Sequence, residues 1–320
     1  MAIGRPVDLG YTCPMKDSPD VSTQLKTIAQ ALDYCSHALG NSDVVFGHGT
    51  DNPWDEAVQL VLTVAGEPLD SDETVLPRCL APATASRILA LLDRRINEHI
   101  PLPYLLGRAW FAGLELHCDS RAIIPRSPIA ELILNAFLPW YAGPEPRRVL
   151  DLCCGGGCIG LAAAHYFPQL QVDLVDLDPQ ALALAAENTR LLDLEARVTR
   201  YQSDLFSALP QARYDLILSN PPYVDSADLA AMPAEYHHEP GLALGSGADG
   251  LVLTRQILAR ARHFLAPEGL LVLEVGNSWE ALEQAYPQVP FTWLEFEQGG
   301  HGVFALTAKE LQDYSASLGG

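Results

Sequence analysis

The sequence predicts an α/β protein in which a doubly wound, mainly parallel sheet follows a small helical domain and a β-hairpin. Two stretches carry this prediction. Residues Val149 to Cys158 form an apolar run that ends in a carboxylate and breaks into three glycines, and Ser219 to Val224 follow a second apolar run. Strands buried in a parallel sheet read as continuous apolar runs, and ligands bind beyond their carboxyl ends.

From Arg147 onward, strand-like and helix-like patterns alternate, as a doubly wound fold requires. The Gly299-Gly300 pair before the last strand indicates a closing hairpin. The seven predicted strands lie near 148–152, 171–176, 197–202, 214–219, 270–275, 291–296 and 302–307. The helices between them lie near 158–167, 179–191, 249–265 and 278–285.

The first hundred residues predict a separate helical domain. Residues 1–18 lack periodicity and predict a flexible N-terminus. Within 19–100, apolar residues recur at helical spacing and predict three helices. These run from Leu25 to Gly40, onward from Pro53 behind an Asp51-Asn52 cap, and over about 83–99. We interpret this domain as a docking module for a protein partner, and the alternative is a lid or brace for the sheet domain.

The segment 101–127 is expected to join the two domains. It begins as a proline-rich linker and continues as a hairpin over Ala109 to Cys118, where the pattern alternates around Ala112-Gly113. A helix from about Pro128 to Trp140 then leads into the sheet domain, which we place at 128–310. Residues 311–320 are expected to form a C-terminal tail.

Bulk composition is that of an ordinary globular protein, at 48% hydrophobic and 19% charged residues. No apolar run approaches the length of about 18 residues that indicates a membrane helix, and no basic-then-apolar leader opens the chain. We therefore expect a cytoplasmic protein that does not bind membranes. The seven cysteines, an odd number, are expected to be reduced thiols. Cys153, Cys154 and Cys158 fit no zinc-binding spacing, so no metal is expected.

The net charge of −20, from 20 basic and 40 acidic residues, limits the choice of partner. A protein that binds free nucleic acid needs a basic face to displace counterions from phosphates. This chain has no basic cluster beyond two arginine pairs, and its field attracts cationic partners. The alternative is that the charge serves solubility alone.

The glycines after the first strand leave the choice of cofactor open. Gly155, Gly157 and Gly160 have the G-x-G-x-x-G spacing of dinucleotide-binding turns. S-adenosylmethionine competes for the same loop and carries an ammonium group in place of a pyrophosphate. Asp151, at the strand end, suits an ammonium and repels a pyrophosphate. Asp176, after the second strand, can accept hydrogen bonds from ribose hydroxyls of either cofactor.

The tetrapeptide Asn220-Pro221-Pro222-Tyr223 favours S-adenosylmethionine over a dinucleotide. Two prolines cannot extend a central strand, so the chain turns rigidly and presents oxygen atoms to the cleft. The Asn220 side-chain oxygen and the Pro221 carbonyl can each accept a hydrogen bond from an NH2 group. Tyr223 offers a flat face on which a planar group can stack. These features suit N-methylation of a planar amine or amide.

The sequence resembles the class I methyltransferases that carry an Asn-Pro-Pro-Tyr motif. Among these enzymes, it resembles the protein N5-glutamine methyltransferases. The resemblance runs from about Gly47 to Leu306 and is closest to the bacterial branch that acts on large-subunit ribosomal protein three. Three further stretches carry it: Gly47 to Glu56, Ile124 to Ile129 and Phe291 to Phe296. The release-factor branch usually has Pro-Asp-Thr-Glu after the Pro-Arg pair, where this chain has Arg126-Ser127-Pro128-Ile129. The chain also departs from the usual Thr-Gly-Ser at Cys154-Gly155-Gly156.

The resemblance implies a Rossmann-like class I methyltransferase sheet with one antiparallel strand inserted into an otherwise parallel sheet. It implies S-adenosylmethionine as cofactor and a ribosomal protein as substrate, basic and not yet assembled into the ribosome. The segment around Pro125-Arg126 would lie at the mouth of the methyl-donor pocket, and the roles of Arg126 and Glu274 stay open. The implied catalytic residues are Asn220, Pro221, Pro222 and Tyr223. The implied cofactor-binding residues are Asp151, Cys153, Gly155, Gly156, Gly157, Asp176, Leu177, Asp204, Leu205 and Asn220.

Four other functions fit parts of the sequence. A release factor is the second substrate candidate within the same family. A DNA adenine N6-methyltransferase uses the same tetrapeptide, but it needs a basic base-flipping surface that this acidic chain lacks. An NAD-dependent reductase leaves Asn220 to Tyr223 unexplained. A ribosome-assembly factor that binds the cofactor but transfers no methyl group could be distinguished from an enzyme only by a methyl-transfer assay.

Overall fold

The computed structural model describes residues 25–319, which fall into two units. One unit contains the residues up to Gly107 together with Pro233–His238, and the other contains Arg108–Met232 and the residues from Glu239 onward. The predicted flexible segment 1–18 lies outside the described residues. Over 25–319, no helix combines the length and the apolarity needed to cross a membrane.

The first unit is helical, as predicted. Its helices are α1 (Ile28–Gly40), α2 (Pro53–Ala65), α3 (Pro82–Asn97) and α4 (Leu102–Leu106). The Asn52 side chain caps α2 by accepting from the Asp55 N–H at 2.9 Å, and Pro53 occupies the first turn. Apolar faces of the helices form one core around Leu32, Val61 and Ile88. The predicted cap of α2 is found, and α1, α2 and α3 correspond to the three predicted helices.

The six residues Pro233–His238 are anchored in this unit by a buried ion-pair network. The Arg95 guanidinium, 1% exposed, donates to Glu56 Oε1 at 2.6 Å, to Glu235 Oε1 at 3.0 Å and to the Val45 carbonyl at 2.9 Å. Glu235 Oε1 also accepts from the Val45 N–H at 2.9 Å. Arg95 and Glu235 together therefore satisfy both peptide groups of Val45.

The second unit begins with the predicted hairpin. Strands β1 (Arg108–Phe111) and β2 (Leu114–His117) pair antiparallel, with Phe111 opposite Leu114. Ala112 and Gly113 both have positive φ, at 49° and 79°, as a two-residue hairpin turn requires. Sequence and structure agree here.

The centre of the second unit is a seven-stranded sheet of order β5-β4-β3-β6-β7-β9-β8. Only β9 runs against its neighbours, since it pairs antiparallel with both β7 and β8. This topology confirms the predicted doubly wound sheet with one inserted antiparallel strand. The strands are β3 (Arg148–Leu152), β4 (Gln171–Asp176), β5 (Val198–Gln202), β6 (Tyr214–Ser219), β7 (Leu265–Glu274), β8 (Thr292–Trp293) and β9 (Val303–Thr307).

Helices cover both faces of the sheet. Val149 and Leu216 point into the core cluster on one face, and their neighbours Leu150 and Ile217 point into the cluster on the other. This alternation follows from the two-residue period of a strand and explains why central strands are apolar throughout. The helices of the unit are α5 (Ile129–Leu134), α6 (Cys158–Tyr166), α7 (Pro179–Leu191), α8 (Ser226–Ala231), α9 (Val252–Arg260), α10 (Trp279–Ala285) and α11 (Ala308–Asp313).

Several element boundaries differ from the prediction. The helix expected from Pro128 to Trp140 ends at Leu134, and Ala136 and Phe137 beyond it have positive φ, at 54° and 59°, which a right-handed helix does not allow. The strand expected at 291–296 is reduced to Thr292–Trp293. The expected tail from 311 begins inside α11, which has a capping box between Thr307 and Glu310, and Leu311 is buried.

Candidate active site

A cavity of about 270 Å³ lies beyond the carboxyl ends of the sheet strands in the second unit. Its lining includes residues that follow four strands in succession, so the fold brings together side chains far apart in sequence. The predicted cofactor-binding residues in this lining are Cys153, Gly155, Asp176, Leu177, Asp204, Leu205 and Asn220, and Pro222 of the tetrapeptide joins them.

The other predicted site residues are not part of the lining. Asp151 is 1% exposed and lies at the end of β3, where its Oδ2 accepts from the Gly160 N–H at 2.8 Å. Gly156 is held through its carbonyl, which accepts from Asn188 Nδ2 at 3.0 Å. Gly157 is the buried residue that precedes α6. These three shape the loop that forms the cavity wall.

The N–H groups of Gly155, Gly157 and Gly160 are already engaged. The Gly155 N–H donates to Asp176 Oδ2 at 2.8 Å, and the Gly157 N–H donates to the Cys154 carbonyl at 2.8 Å. The Gly160 N–H is bound by Asp151, as described above. A pyrophosphate needs such N–H groups pointing at it, and it repels carboxylates. The turn is therefore unsuited to a dinucleotide, which resolves the choice that the glycine spacing left open.

Asp151 is a buried carboxyl group with one satisfied oxygen. Its Oδ1 has no hydrogen-bond partner within residues 25–319. Burial raises the pKa of Asp151 to about 7, and the hydrogen bond from Gly160 only partly offsets this effect. Burial likewise raises the pKa of Asp176. A cation brought close to these two groups would be stabilised by both.

The Asn220–Tyr223 elbow follows β6 and borders the cavity. Asn220 Nδ2 donates to the Arg126 carbonyl at 3.3 Å, which fixes the side-chain amide because a carbonyl can only accept. Pro221 is buried and its neighbours Asn220 and Pro222 line the cavity. Within the described part of the chain, no donor reaches Asn220 Oδ1 or the Pro221 carbonyl. Two acceptors of the elbow thus remain for a ligand.

Tyr223 is held at both ends. Its hydroxyl donates to Glu274 Oε1 at 3.0 Å, and its carbonyl accepts from Ser278 Oγ at 2.8 Å. A Cβ atom at Gly276 would lie 2.5 Å from the Tyr223 ring, and one at Gly250 would lie 2.1 Å from the Tyr223 carbonyl oxygen. Both glycines also have positive φ. Only glycine allows the chain to approach the elbow this closely.

Arg126 is bound to Glu239, a residue that the sequence did not single out. Arg126 Nη2 donates to Glu239 Oε2 at 2.6 Å, and its Nη1 donates to the other carboxylate oxygen. The Ile124 N–H also donates to Glu239 Oε1, at 3.2 Å. Arg126 therefore orients the segment whose carbonyl holds Asn220.

A further segment, which covers one side of the cavity, was not predicted from the sequence. The Val224 N–H donates to the Leu244 carbonyl at 2.9 Å, and the Ser246 N–H donates to the Val224 carbonyl at the same distance. The chain therefore returns alongside the elbow. Four glycines between Gly241 and Gly250 were the available signal. The lining residues of this segment are Pro240, Leu242, Ala243, Gly245, Ser246 and Gly247.

The cysteines near the cavity are thiols of low reactivity. Burial raises the pKa values of Cys153, Cys154 and Cys158, so none carries an activated thiolate. Within the portion of the chain that is described, no group of three or more histidine, cysteine or acidic residues is placed to hold a metal ion.

Comparison with known proteins agrees with this geometry. Residues 130–235 match the profile of the methyltransferase small domain family. The ribosomal protein uL3 glutamine methyltransferase of Bordetella pertussis is 44% identical over 289 residues, which cover 90% of this chain and 97% of that protein. The enzyme of the same name from Francisella tularensis is 45% identical over 92% of this chain and 94% of its own length.

Among solved structures, the 16S rRNA N2 G1207 methyltransferase of Thermus thermophilus, in complex with AdoMet and guanosine, aligns with a TM-score of 0.41 and 21% identity. It covers 62% of this chain and 49% of that one. The strand order with its single antiparallel strand is that of a class I methyltransferase. On the identity and coverage of the two bacterial relatives, the chain belongs to the family of ribosomal protein uL3 glutamine methyltransferases.

Proposed function

We propose that this protein transfers a methyl group from S-adenosylmethionine to the side-chain nitrogen of a glutamine in ribosomal protein uL3. One observation carries the proposal: the Asn220–Tyr223 elbow borders the cofactor cavity with two oxygen acceptors left for a ligand. The two bacterial relatives, which bear the name of this substrate, support the choice of protein.

The cavity fits S-adenosylmethionine by its chemistry. Asp176 and Asp204 supply carboxylate oxygens to the lining, and Val175 and Leu205 supply apolar surface of the kind that holds an adenine ring. We assign the ribose hydroxyls to Asp176 and the adenine to Asp204 and Leu205. Asp151 Oδ1 is assigned to the ammonium group, since a buried oxygen without a partner is stabilised by a cation. When bound, the cofactor supplies an electrophilic methyl group.

The elbow holds the acceptor amide. A glutamine nitrogen is a weak nucleophile because its lone pair is delocalised into the carbonyl group. Hydrogen bonds from its NH2 group to Asn220 Oδ1 and to the Pro221 carbonyl raise the electron density on nitrogen and fix its direction. These bonds strengthen as positive charge develops on nitrogen, so they stabilise the transition state more than the ground state.

The proposed mechanism needs no general base. The nitrogen becomes acidic once it is alkylated, and its proton can leave to water afterwards. Tyr223 contributes the flat face against which the planar amide lies. The elbow therefore acts through orientation and electrostatics.

The partner is a free ribosomal protein in this proposal. Ribosomal proteins outside the ribosome are strongly cationic, and the net charge of −20 attracts them and repels free nucleic acid. We assign docking of this protein to the helical unit, since methyl transfer alone does not require such a unit. Free ribosomal proteins are met in the cytoplasm, which agrees with the location expected from the sequence.

A labelling experiment tests the function. The protein is incubated with radiolabelled S-adenosylmethionine and an extract from cells that lack this methylation, and the labelled protein is identified by mass spectrometry. Label on a glutamine of uL3 supports the proposal. Label on a release factor would identify that protein as the substrate instead of uL3. Label on DNA would indicate a DNA methyltransferase. If a competent extract yields no label, the protein binds its partner without transferring a methyl group.

A further inference from the structure

Glu274 ends strand β7 at the edge of the sheet that carries the elbow. Ser219, the last residue of β6, pairs with Leu273 in the parallel register, so Asn220 and Glu274 leave the sheet side by side. Glu274 is only 5% exposed. A carboxyl group at this depth costs free energy unless its oxygens are hydrogen-bonded.

Each oxygen of Glu274 accepts one hydroxyl group. Tyr223 donates to Oε1 at 3.0 Å, and Ser127 Oγ donates to Oε2 at 2.6 Å. Over residues 25–319, no basic side chain forms a salt bridge with Glu274. The carboxylate is therefore held by two neutral hydroxyl donors, through charge-assisted hydrogen bonds that are about twice as strong as bonds between neutral groups.

The two donors belong to the two segments that place the proposed substrate-binding atoms. Tyr223 is the last residue of the elbow, and its ring is confined by Gly276. Ser127 directly follows Arg126, whose carbonyl fixes the Asn220 amide. By holding both hydroxyls, Glu274 ties the elbow to the segment that orients its asparagine.

We propose that Glu274, in its ionised form, is the positioning residue that clamps Tyr223 and Ser127 around the glutamine amide. The inference rests on the proposed function and adds a residue that acts through others. A protonated carboxyl group has one hydroxyl that must itself donate, so it cannot accept from both neighbours at full strength. Protonation therefore loosens one side of the clamp.

The surroundings of Glu274 determine the pH at which its carboxyl group is protonated. Burial raises the pKa of Glu274 to about 7, although the bonds from Ser127 and Tyr223 and the nearby charge of Arg126 oppose the shift. The Cys158 thiol also interacts with it: burial raises the pKa of this thiol, and the nearby charge of Glu274 adds to that effect. The Arg126 charge is shared with Glu239. The clamp is thus expected to form as the pH rises through about 7.

Kinetics of Glu274→Gln test the inference, with kcat measured from about pH 5.5 to 8.5 at saturating cofactor and uL3. The wild type should show an acidic limb near pH 7, as set by the pKa of Glu274. The variant should lose that limb and, at pH 8, about 10- to 100-fold in kcat, the loss expected for hydrogen bonds to a charged acceptor. Its dissociation constant for S-adenosylmethionine should stay within about twofold of the wild type, because Glu274 is not part of the cavity lining. Glu268→Gln, an exposed change on the same strand, is the matched control.

Tyr223→Phe provides a second reading of the same contact. Loss of the Tyr223 hydroxyl removes a donor to the ionised form, so the acidic limb should move to higher pH. An unchanged pH profile in Glu274→Gln, or an equal loss of cofactor affinity and kcat, would overturn the inference. A crystal structure of Glu274→Gln in which Tyr223 and Ser127 keep their places would also overturn it, and needs no turnover. Absence of turnover in the wild type would count against the proposed function instead.

Discussion

At the scale of single residues, the orientation of the Asn220 amide is the central feature. A carbonyl oxygen can only accept, so Nδ2 faces the Arg126 carbonyl and Oδ1 is left as the acceptor that we propose for the substrate amide. The fixed amide needs no reorganisation when the substrate arrives, which is how preorganised polar groups lower a barrier.

Asn220→Ala should lower kcat by about 10²- to 10³-fold, the cost of losing one oriented polar group in a transition state. Its affinity for S-adenosylmethionine should change little, because most of the cavity lining is retained. Radiolabel assays and calorimetry measure the two quantities. Asn135→Ala, at an exposed position, serves as the control. Parallel losses of affinity and kcat would contradict this division of roles.

Asp151 should make cofactor binding depend on pH. Its carboxyl group must be ionised to pair with an ammonium, and its pKa lies at about 7. Affinity should therefore be constant above this pH and fall by about tenfold for each pH unit below it. Calorimetry between about pH 5.5 and 7.5 measures this slope in the range where the proposed pairing is titrated.

Asp151→Asn should abolish that slope and weaken binding by about 10- to 100-fold at neutral pH, since a hydrogen bond to a charged group is lost. Asp193→Asn, on the surface, should leave both unchanged. If the Asp151 variant binds as tightly as the wild type, the carboxyl group serves only the Gly160 contact.

At the scale of elements, the sequence predicts those whose signals are local. Strands β3 and β6 are continuous apolar runs, and the cap of α2 is a local Asn-Pro pair, so all three were found. Helix α11 was missed although Thr307 and Glu310 form a recognisable capping box. The pairing of Val224 with Leu244 could not be predicted, because it joins residues whose contact depends on the path of the whole chain.

The candidate site divides in the same way. The elbow and the acidic strand ends were identified from the sequence because each motif is contiguous. The contacts of Glu239 with Arg126 and of Glu274 with Ser127 span more than a hundred residues and have no sequence signature. Contiguous motifs therefore predict the residues proposed to face a ligand, whereas the residues that contact and orient them are found only in the structure.

The glycine-rich segment beside the elbow provides a matched pair of variants. Gly250→Ala would place a Cβ atom 2.1 Å from the Tyr223 carbonyl oxygen, at a φ of 71° that alanine disfavours. The elbow must then move, so kcat should fall by at least about tenfold, as for small misplacements of reacting groups. Gly241→Ala meets no atom within 4 Å and should behave as wild type. Equal activity of the two variants would show that the close approach is not needed.

At the scale of the whole molecule, the buried Arg95 network joins parts of the chain that are distant in sequence. The Gly47–Glu56 stretch takes part in it, since Glu56 binds Arg95 and His48 lies with its ring centre 4.4 Å from that of Tyr236. Burial raises the pKa of Glu56. Burial also acts to raise the pKa of Glu235, but hydrogen bonds outweigh it and hold the pKa at about 2. The branch-specific stretch is thus partly explained by packing.

Arg95→Ala should destabilise the protein by about 3–5 kcal/mol, because it leaves two buried carboxylates without their cation. Urea denaturation measures the loss, and Arg94→Ala, which removes an exposed pair with Glu98, should cost under about 1 kcal/mol.

The contribution of Glu235 to the free energy of unfolding follows from its lowered pKa. It is fully present above the unfolded value of 4.5 and is lost as the pH falls from 4.5 towards about 2. A wild-type stability that rises on acidification through this range, relative to Glu235→Gln, would contradict that sign.

The helical unit is assembled from two stretches separated by more than a hundred residues, the N-terminal one and Pro233–His238. It is therefore not a transplantable module: a gene fragment ending at Gly107 would encode the helices but omit Glu235. Such a fragment would carry Arg95 with one of its two carboxylates missing and the Val45 N–H without its acceptor. Truncation or recombination after Gly107 would therefore destabilise the helical unit, because it removes a buried ion-pair partner of Arg95.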